Sequence, residues 1–325
     1  MKTELFAGID GGQTQTKAVI ADASGNILGK GLGGAIDHGK LPESESKLKN
    51  AISGAIGSAL VDAGLQAESI SFSSIYFGLT GGADHREAAV KKAANAKMIE
   101  VGHDALTALI GATGGEPGIV VIAGTGSIVF GINQSGETAR AGGLGFLFSD
   151  GGSGFWLAKE VISAAIKEQD GAIKNCGLEK MVLEFFCVSG IRKLTNAFYN
   201  NEISRDTIAA FAEKILDKGF EGDKFLCDLI FRGIRELTAN VNGAAKKLKF
   251  KKDYKVCGVG GLFQNSFFQK QFRKELSAEI PSAVFSKPEF SPAVGALLLA
   301  YRNARIPITK QLLVNLRNTS VKSSA

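Results

Sequence analysis

The chain has 325 residues, of which 45% are hydrophobic and 22% are charged, the composition of an ordinary globular protein. Its length exceeds what a single hydrophobic core usually serves, so we expect two domains. No stretch approaches the ~18 consecutive apolar residues of a membrane span, and the N-terminus lacks the pattern of a signal peptide. We therefore expect a cytoplasmic protein with no membrane partner. The cysteines form no CxxC pair and are expected to be reduced thiols: Cys176, Cys187, Cys227 and Cys257.

The net charge of +6 is concentrated in two segments. The lysine-rich run 246–252 is typical of a helix end, where cations complement the helix dipole. The segment after Tyr301 has no acidic residue, and we expect a frayed basic tail over 304–325. Basic residues do not alternate with aromatic ones, as they would on a surface that stacks bases. A nucleic-acid partner is therefore not expected.

The first half of the chain has the pattern of an α/β domain. An antiparallel meander of three strands comes first, because short apolar runs are separated by turn residues. Helical and buried-strand patterns then alternate. The predicted elements are strands 5–9, 17–21 and 27–31, a helix ending at 63, strand 70–79, helix 86–95, strand 97–101 and a helix from 103 to about 112.

The turn between the first two strands is Asp10-Gly11-Gly12-Gln13-Thr14-Gln15-Thr16. Adjacent glycines permit positive φ and let the backbone approach a ligand without a Cβ in the way. Backbone N–H groups and the hydroxyls of Thr14 and Thr16 then point into one small space, which suits a phosphate. Asp10 is well placed to hold Mg²⁺ or its water shell. From this segment alone, a plain hairpin turn is the alternative.

A second strand, glycine turn and returning strand begin at residue 118. The turn is Gly124-Thr125-Gly126-Ser127, between strands 118–123 and 128–132. The repetition indicates a duplicated fold with a cleft between its halves. Two glycine-rich hairpins that face each other across such a cleft are able to hold the β- and γ-phosphates of a nucleotide.

The rest of the chain is divided by glycine-rich segments. Gly142–Gly154 is expected to pack against a ligand or another backbone, and a helical region follows, with breaks near Gly171, Gly190 and Gly219. A strand leads into Gly260-Gly261. The expected domains are 1–115 with the terminal helix 291–303, and 116–290 with a helical insertion at 156–250.

Five segments occur in the order seen in the sugar kinase, heat-shock-protein-70 and actin superfamily. They are Asp10–Thr16, the strand that ends at Gly81, Gly124–Ser127, Val256–Gly261 and Ala293–Ala296. Within the superfamily, residues 3–303 most resemble the N-acetylglucosamine kinase and BadF-type ATPase group, especially at 123–127 and 142–154. The resemblance implies an α/β, duplicated actin/hexokinase-like (ribonuclease H-like) fold of two domains with an interdomain cleft.

The resemblance also implies ATP and Mg²⁺ as cofactors, an amino sugar as substrate and a homodimer. Asp104 matches the catalytic base, although a helix N-cap is the alternative for an aspartate at this place. Asp10 matches the carboxylate on the Mg²⁺ side, acting through water. The implied cofactor-binding residues are Asp10, Gly11, Gly12, Gln13, Thr14, Thr16, Gly124, Thr125, Gly126, Ser127, Gly260 and Gly261. The implied substrate-binding residues are Asp37, His38, Gly81, Asp104, Thr125, Gly143, Leu144, Gly145 and Asp150.

Three positions depart from the group's pattern. Gly151 stands where the group has glutamate, Leu144 where tryptophan is frequent, and Asp37 where a sugar-contacting asparagine is usual. These changes affect the acceptor pocket more than the phosphate turns. A carboxylate at Asp37 suits a cationic amine better than a neutral acetamide, so free glucosamine is a candidate beside N-acetylglucosamine.

Three functions are compatible with the resemblance. The first is an ATP-dependent amino-hexose kinase that phosphorylates the 6-hydroxyl. The second is an ATPase activator of a CoA-ester reductase or dehydratase, which would ligate an iron–sulfur cluster through cysteines at a dimer interface. The cysteines here have no such pattern. The third is a sugar or nucleotide sensor, against which the retention of Asp10, Asp104 and Asp150 argues.

Overall fold

Two five-stranded sheets, one in each of two units, form the framework of the chain. The computed structural model describes residues 4–36, 43–66, 70–81 and 87–320, so the predicted substrate residues Asp37 and His38 lie outside the described residues. Unit 1 consists of Met1–Gly118 and Lys287–Ala325, and unit 2 consists of Ile119–Ser286.

The sheet of unit 1 has the strand order β3-β2-β1-β4-β5. β1, β2 and β3 are antiparallel, as the sequence predicted, and β4 and β5 continue the sheet parallel to β1. The elements are β1 Leu5–Gly11, β2 Thr16–Asp22, β3 Ile27–Gly33, α1 Glu43–Asp62, β4 Phe72–Leu79, α2 Glu87–Ala93, β5 Ala96–His103 and α3 Asp104–Thr113.

Unit 2 repeats this arrangement with the strand order β8-β7-β6-β9-β10. β7 and β8 are antiparallel and β9 and β10 are parallel, as at the equivalent places in unit 1. This equivalence confirms the duplicated α/β fold. Its strands are β6 Gly118–Ala123, β7 Ser127–Ile132, β8 Thr138–Gly142, β9 Tyr254–Val259 and β10 Ala283–Ser286.

The predicted helical region lies between β8 and β9. Three of its helices end near the predicted breaks, at Gln169, Phe186 and Phe220, whereas the helix ends at Tyr199 and Ala209 were not predicted. Asp223 is the N-cap residue of the longest helix in the described part of the chain, and this helix ends within the lysine-rich run 246–252. Among the described residues, no helix is both long and apolar enough to span a membrane. The helices of unit 2 are α4 Gly154–Gln169, α5 Leu178–Phe186, α6 Ile191–Tyr199, α7 Arg205–Ala209, α8 Phe211–Phe220, α9 Lys224–Leu248, and α10 Ser266–Glu279 after a 3₁₀ turn at Gly261–Gln264.

Glycines let helices lie directly on the sheet of unit 1. A Cβ on Gly31 of β3 would lie 2.0 Å from the Ala55 carbonyl oxygen of α1, and Gly29 and Gly33 are blocked by α1 in the same way. On the opposite face is helix α11, Pro292–Asn303. A Cβ on Gly8 of β1 would lie 2.1 Å from the backbone nitrogen of Leu297 in that helix. These contacts fix β1, whose end carries Asp10.

The expectation of a frayed basic tail is wrong, because a further helix, α12 at Lys310–Ser320, packs on unit 1. Its Leu312 and Leu316 are buried in the same core as α11. The side-chain amide of Asn315 donates to the Ser24 carbonyl at 2.8 Å. The apolar positions 312, 313 and 316 give the helix one buried face, so its basic residues can remain in solvent.

This packing predicts that Leu316→Ala lowers the free energy of unfolding by about 2–4 kcal/mol, since a fully buried leucine is truncated. Val314 on the same helix is 38% exposed and provides the matched control. Val314→Ala should change stability by less than about 1 kcal/mol. Urea unfolding of both variants checks the prediction, and equal effects would contradict it.

Candidate functional site

Asp10 and Asp104 share one edge of the sheet of unit 1. Asp10 pairs with Gly78 of β4, and Gly78 pairs with Gly102 of β5, so these residues form one row across three parallel strands. Asp104 begins α3 directly after β5. Because parallel strands present their carboxyl ends at the same edge, both aspartates lie where open α/β sheets bind ligands.

The electrostatics of Asp10 are unusual for a carboxylate. Burial, and secondarily the negative charge of Asp104, raise the pKa of Asp10 from 3.8 to about 7, against the opposing effect of Lys17. Among the described residues, no cluster of three or more His, Cys, Asp or Glu forms a metal cage. A carboxylate that repels its neighbour nevertheless fits a hydrated divalent cation, which needs only one or two protein carboxylates beside phosphates and water.

Asp104 does not cap its helix. His103 is the N-cap residue, and no side chain makes a capping hydrogen bond there. Asp104 is the first residue within the helix and is half-buried. The alternative of an N-cap role is therefore wrong, and the Asp104 carboxylate is not used to satisfy the helix end.

The first glycine turn is closed by the hydrogen bond from the Gly12 nitrogen to the Gln15 carbonyl, 3.1 Å. Neither Gly11 nor Gly12 has positive φ, so that part of the sequence argument is wrong. Gly11 is instead required by close packing, because a Cβ there would lie 2.3 Å from Cδ1 of Ile36.

Only one of the two threonine hydroxyls predicted to face a ligand in this turn is exposed. Thr14 is exposed, whereas Thr16 is fully buried and its hydroxyl donates to the Gly34 carbonyl at 2.8 Å. The prediction that the Thr16 hydroxyl faces a ligand is therefore wrong, because its hydrogen bond connects β2 to the segment that follows β3. Gln13 is half-buried beside Gly12.

The second glycine turn, in unit 2, is fastened to the start of α4. The nitrogens of Gly154 and Phe155 donate to the carbonyls of Gly124 and Thr125, at 2.8 and 3.2 Å. The Ser127 hydroxyl donates to the Gly151 carbonyl at 2.9 Å, so this hydroxyl is also used within the fold. The turn is thereby held at several points, while a Cβ on Gly124 would meet open space.

The predicted adenosine turn contacts the end of β6. Gly260 has φ of +106°, and a Cβ there would lie 2.4 Å from the Ala123 carbonyl oxygen. Gly261 begins the 3₁₀ turn, with open space where its Cβ would be. Two segments that are 136 residues apart in sequence, Gly124 and Gly260, thus lie at neighbouring strand ends of unit 2.

Asp150 lies against the second glycine turn. Its side chain is 5% exposed, and a Cβ on Gly126 would lie 2.7 Å from its Oδ2. Burial raises the pKa of Asp150, although the positive charge of Arg205 and the backbone N–H groups of Gly145 and Ser127 partly offset this effect. Its φ of +58° is uncommon for a residue with a side chain, although aspartate adopts this region more readily than most residues.

The other predicted substrate residues lie on two loops. Gly143 and Gly145 have φ of +69° and +100°, and Leu144 between them is 73% exposed. In unit 1, Gly81 follows β4 with φ of +80°.

Sequence reasoning missed two residues at the start of α7. The Thr125 hydroxyl donates to Oδ1 of Asp206 at 2.5 Å. The guanidinium of Arg205 lies 4.9 Å from the centre of the Phe146 ring and is close enough to influence Asp150. Neither residue belongs to a glycine motif, and the only local signal is the N-cap Ser204 of a five-residue helix.

A duplicated sheet with a glycine-rich turn after the first strand of each copy, and paired aspartates at a carboxyl edge, defines a class of nucleotide-dependent proteins with the actin-like fold. The chain belongs to the BadF/BadG/BcrA/BcrD ATPase family, whose model matches residues 7–300. Membership in an ATPase family agrees with the predicted use of ATP.

The chain is similar over nearly its full length to sugar kinases. It is 28% identical to an N-acetylmuramic acid/N-acetylglucosamine kinase of Clostridium acetobutylicum, over 90% of this chain and 97% of that protein. It is 27% identical to the glucosamine kinase GspK of Vibrio cholerae, over 91% of this chain and 95% of that one. The crystal structure of a candidate N-acetylglucosamine kinase from Chromobacterium violaceum matches with a TM-score of 0.73 and 27% identity, covering 92% and 99% of the two chains.

The raised pKa of Asp10 predicts a pH-dependent effect of Asp10→Asn. Between 3.8 and about 7 the folded protein binds a proton at Asp10 that the unfolded chain has lost, so wild-type stability falls as pH rises. In Mg²⁺-free buffer, the wild type should lose about 2 kcal/mol relative to Asp10→Asn between pH 5.5 and 8. The curves should run parallel above pH 8.

Denaturant unfolding at each pH measures this difference. Asp104→Asn is the companion variant: it removes the charge that raises the pKa of Asp10, so its stability should fall less steeply than that of the wild type over the same interval. A wild-type stability that rises with pH relative to Asp10→Asn would contradict the assignment.

Proposed function

We propose that the protein is an ATP-dependent kinase that phosphorylates an amino hexose, N-acetylglucosamine or glucosamine, at its 6-hydroxyl. The observation that carries the proposal is the pair Asp10 and Asp104 at one carboxyl edge, in which neither carboxylate forms an ion pair with another residue that the structure describes. The similarity to two amino-sugar kinases and to a candidate N-acetylglucosamine kinase, over nearly the whole chain, supports the substrate class.

Asp104 is proposed as the general base. A half-buried carboxylate that is not used in capping is available to accept a hydrogen bond from the sugar hydroxyl. It then accepts the proton as that oxygen attacks the γ-phosphorus of ATP and the bond from this phosphorus to ADP breaks, and it holds the oxygen in line for transfer. The helix start fixes the backbone of Asp104, which favours one orientation of the attacking group.

ATP would be held by backbone-lined turns: Gly11 and Gly12 in unit 1, and Gly124, Gly126, Gly260 and Gly261 in unit 2. The open space at Gly124 and Gly261 fits a ligand that approaches the backbone. Asp10 would hold Mg²⁺ through its water shell. Mg²⁺–ATP supplies the phosphoryl group, and the metal offsets the charge on its phosphate oxygens.

The acceptor sugar would contact Asp150, Thr125 and the 143–145 segment of unit 2, with Gly81 of unit 1. Asp150 is buried beside Gly126 and can accept hydrogen bonds from sugar hydroxyls. Asp37 and His38 are proposed as sugar contacts on the basis of the resemblance alone.

The activator function has less support. Cys257 is buried on β9, the Cys227 thiol donates to the Gly219 carbonyl, and Cys176 and Cys187 are exposed on separate segments of unit 2. No group of three or more metal-ligating side chains occurs among the residues that the structure describes. This arrangement favours the kinase.

A coupled ADP-release assay with N-acetylglucosamine, glucosamine, glucose, N-acetylmuramic acid and no sugar tests the proposal. Sugar-dependent turnover should fall about 10²–10⁴-fold in Asp104→Asn, the usual contribution of a general base. The matched control is Glu100→Gln, which removes an exposed carboxylate from β5. ADP release that does not depend on sugar, with an iron chromophore in anaerobic protein, would indicate the activator. Sugar binding without turnover would indicate a sensor.

The preference between the two sugars should depend on Asp37. Asp37→Asn is expected to reduce the ratio of kcat/KM for glucosamine to that for N-acetylglucosamine about tenfold, because a hydrogen bond to a charged group contributes ~1.5–3 kcal/mol. The KM for ATP should stay unchanged and serves as the internal control. An unaltered ratio would show that Asp37 does not select the amine.

A further inference from the structure

The Thr125 side chain is held in one hydrogen-bonding state. Its hydroxyl donates to Oδ1 of Asp206 at 2.5 Å, a contact across 81 residues of sequence. A hydroxyl has a single hydrogen and two lone pairs. With that hydrogen directed at a carboxylate, Thr125 has only oxygen lone pairs to offer to a ligand.

We propose that Asp206 is a positioning residue that makes Thr125 a hydrogen-bond acceptor for a hydroxyl of the acceptor sugar, and thereby contributes to sugar specificity. This inference rests on the proposed kinase function and adds to it a residue on α7. The Thr125 side chain belongs to the sugar site and not to the phosphate site. In the sequence analysis, Thr125 was expected among the cofactor-binding residues and among the substrate-binding residues.

The surrounding charges support this polarity. Two carboxylates, Asp150 and Asp206, lie beside the Thr125–Gly126 segment. Phosphate oxygens carry negative charge and need donors, whereas sugar hydroxyls can donate to carboxylates and to hydroxyl oxygens. Arg205 faces Asp150 and lies over the Phe146 ring, so its positive charge is directed at the first of these carboxylates.

The backbone of Thr125 is fixed independently of its side chain. Its carbonyl accepts from the Phe155 nitrogen of α4, while its hydroxyl is held by α7. Two helices therefore set the position of one residue, and the hydroxyl cannot rotate toward another acceptor without giving up a charge-assisted hydrogen bond. Such a bond could also serve only to join α7 to the turn, so the test must separate positioning from stability.

The test uses isothermal titration of N-acetylglucosamine, glucosamine and their 3-, 4- and 6-deoxyfluoro analogues. Fluorine cannot donate a hydrogen bond. If Thr125 accepts from one hydroxyl, one analogue should bind about tenfold more weakly to the wild type, since a polar site rejects a ligand that leaves a group unpaired. Thr125→Val should bind the parent sugar more weakly and show little further loss with that analogue.

Asp206→Ala is the decisive variant. It removes the acceptor of the Thr125 hydroxyl, which frees the threonine hydrogen, so the penalty for the same fluoro analogue should fall to about threefold or less. Asp206→Glu should restore part of the wild-type profile. Asp217→Asn, which removes an exposed carboxylate from the nearby helix α8, should leave every analogue ratio unchanged.

Each outcome bears on the inference. If Asp206→Ala keeps the wild-type analogue profile while the wild type releases ADP with sugar, the inference is overturned and the kinase function stands. If the wild type neither binds a sugar nor turns one over, both are overturned. If Asp206→Ala does not fold, Thr125→Val and Asp206→Glu decide: an analogue penalty that persists in Thr125→Val overturns the inference.

Discussion

The repulsion between Asp10 and Asp104 is the constraint on which the site in unit 1 depends. Strand pairing through β4 fixes both residues at one edge, and burial together with the charge of Asp104 raises the pKa of Asp10 to about 7. The arrangement disfavours the ionised form of Asp10, so this carboxylate is partly protonated near neutral pH. The glycine contacts that press α1 and α11 onto the sheet supply the rigidity that holds it. Under the proposed function, a divalent cation held by Asp10 would offset this repulsion.

In unit 2, hydrogen bonds and close contacts hold backbone groups of the glycine turns at fixed positions. Its glycine turn is bonded to α4 through Gly124, and the neighbouring turn at Gly260 touches Ala123 directly. Two side-chain hydroxyls that were expected to bind a ligand are hydrogen-bonded within the protein. Thr125 and Ser127 both donate to groups of the protein. Under the proposed function, recognition in this unit would therefore fall to backbone groups, to Asp150 and Asp206, and to the lone pairs of Thr125.

Local sequence signals were enough for the antiparallel meander, for the order of elements along the chain and for the repeated strand and glycine turn that indicated a duplicated fold, because hydrophobic periodicity and glycine turns are short-range features. They were insufficient for hydrogen bonds between residues that are distant in sequence. The Thr16 hydroxyl donates to the Gly34 carbonyl, and the Thr125 hydroxyl donates to Asp206, which lies on a helix with no sequence motif. The C-terminal helix α12 was missed for a similar reason. The charge pattern of the tail predicted fraying, whereas the buried face that contains Leu316 stabilises a helix. Gly11 was identified correctly as a special position. The sequence argument relied on positive φ and on the approach of a ligand, whereas glycine is required there because Ile36 occupies the place of a Cβ.

The duplication is one of architecture and not of chemistry. At the end of the first strand, unit 1 carries the carboxylate of Asp10, and unit 2 carries the methyl group of Ala123 at the corresponding strand end. The two copies thus diverged in charge while they kept one topology. A substitution of Asp10 alters the electric field at its sheet edge, whereas a substitution of Ala123 alters the packing beside Gly260. Pseudo-symmetry in this chain is a poor guide for transferring the effect of a mutation from one half to the other.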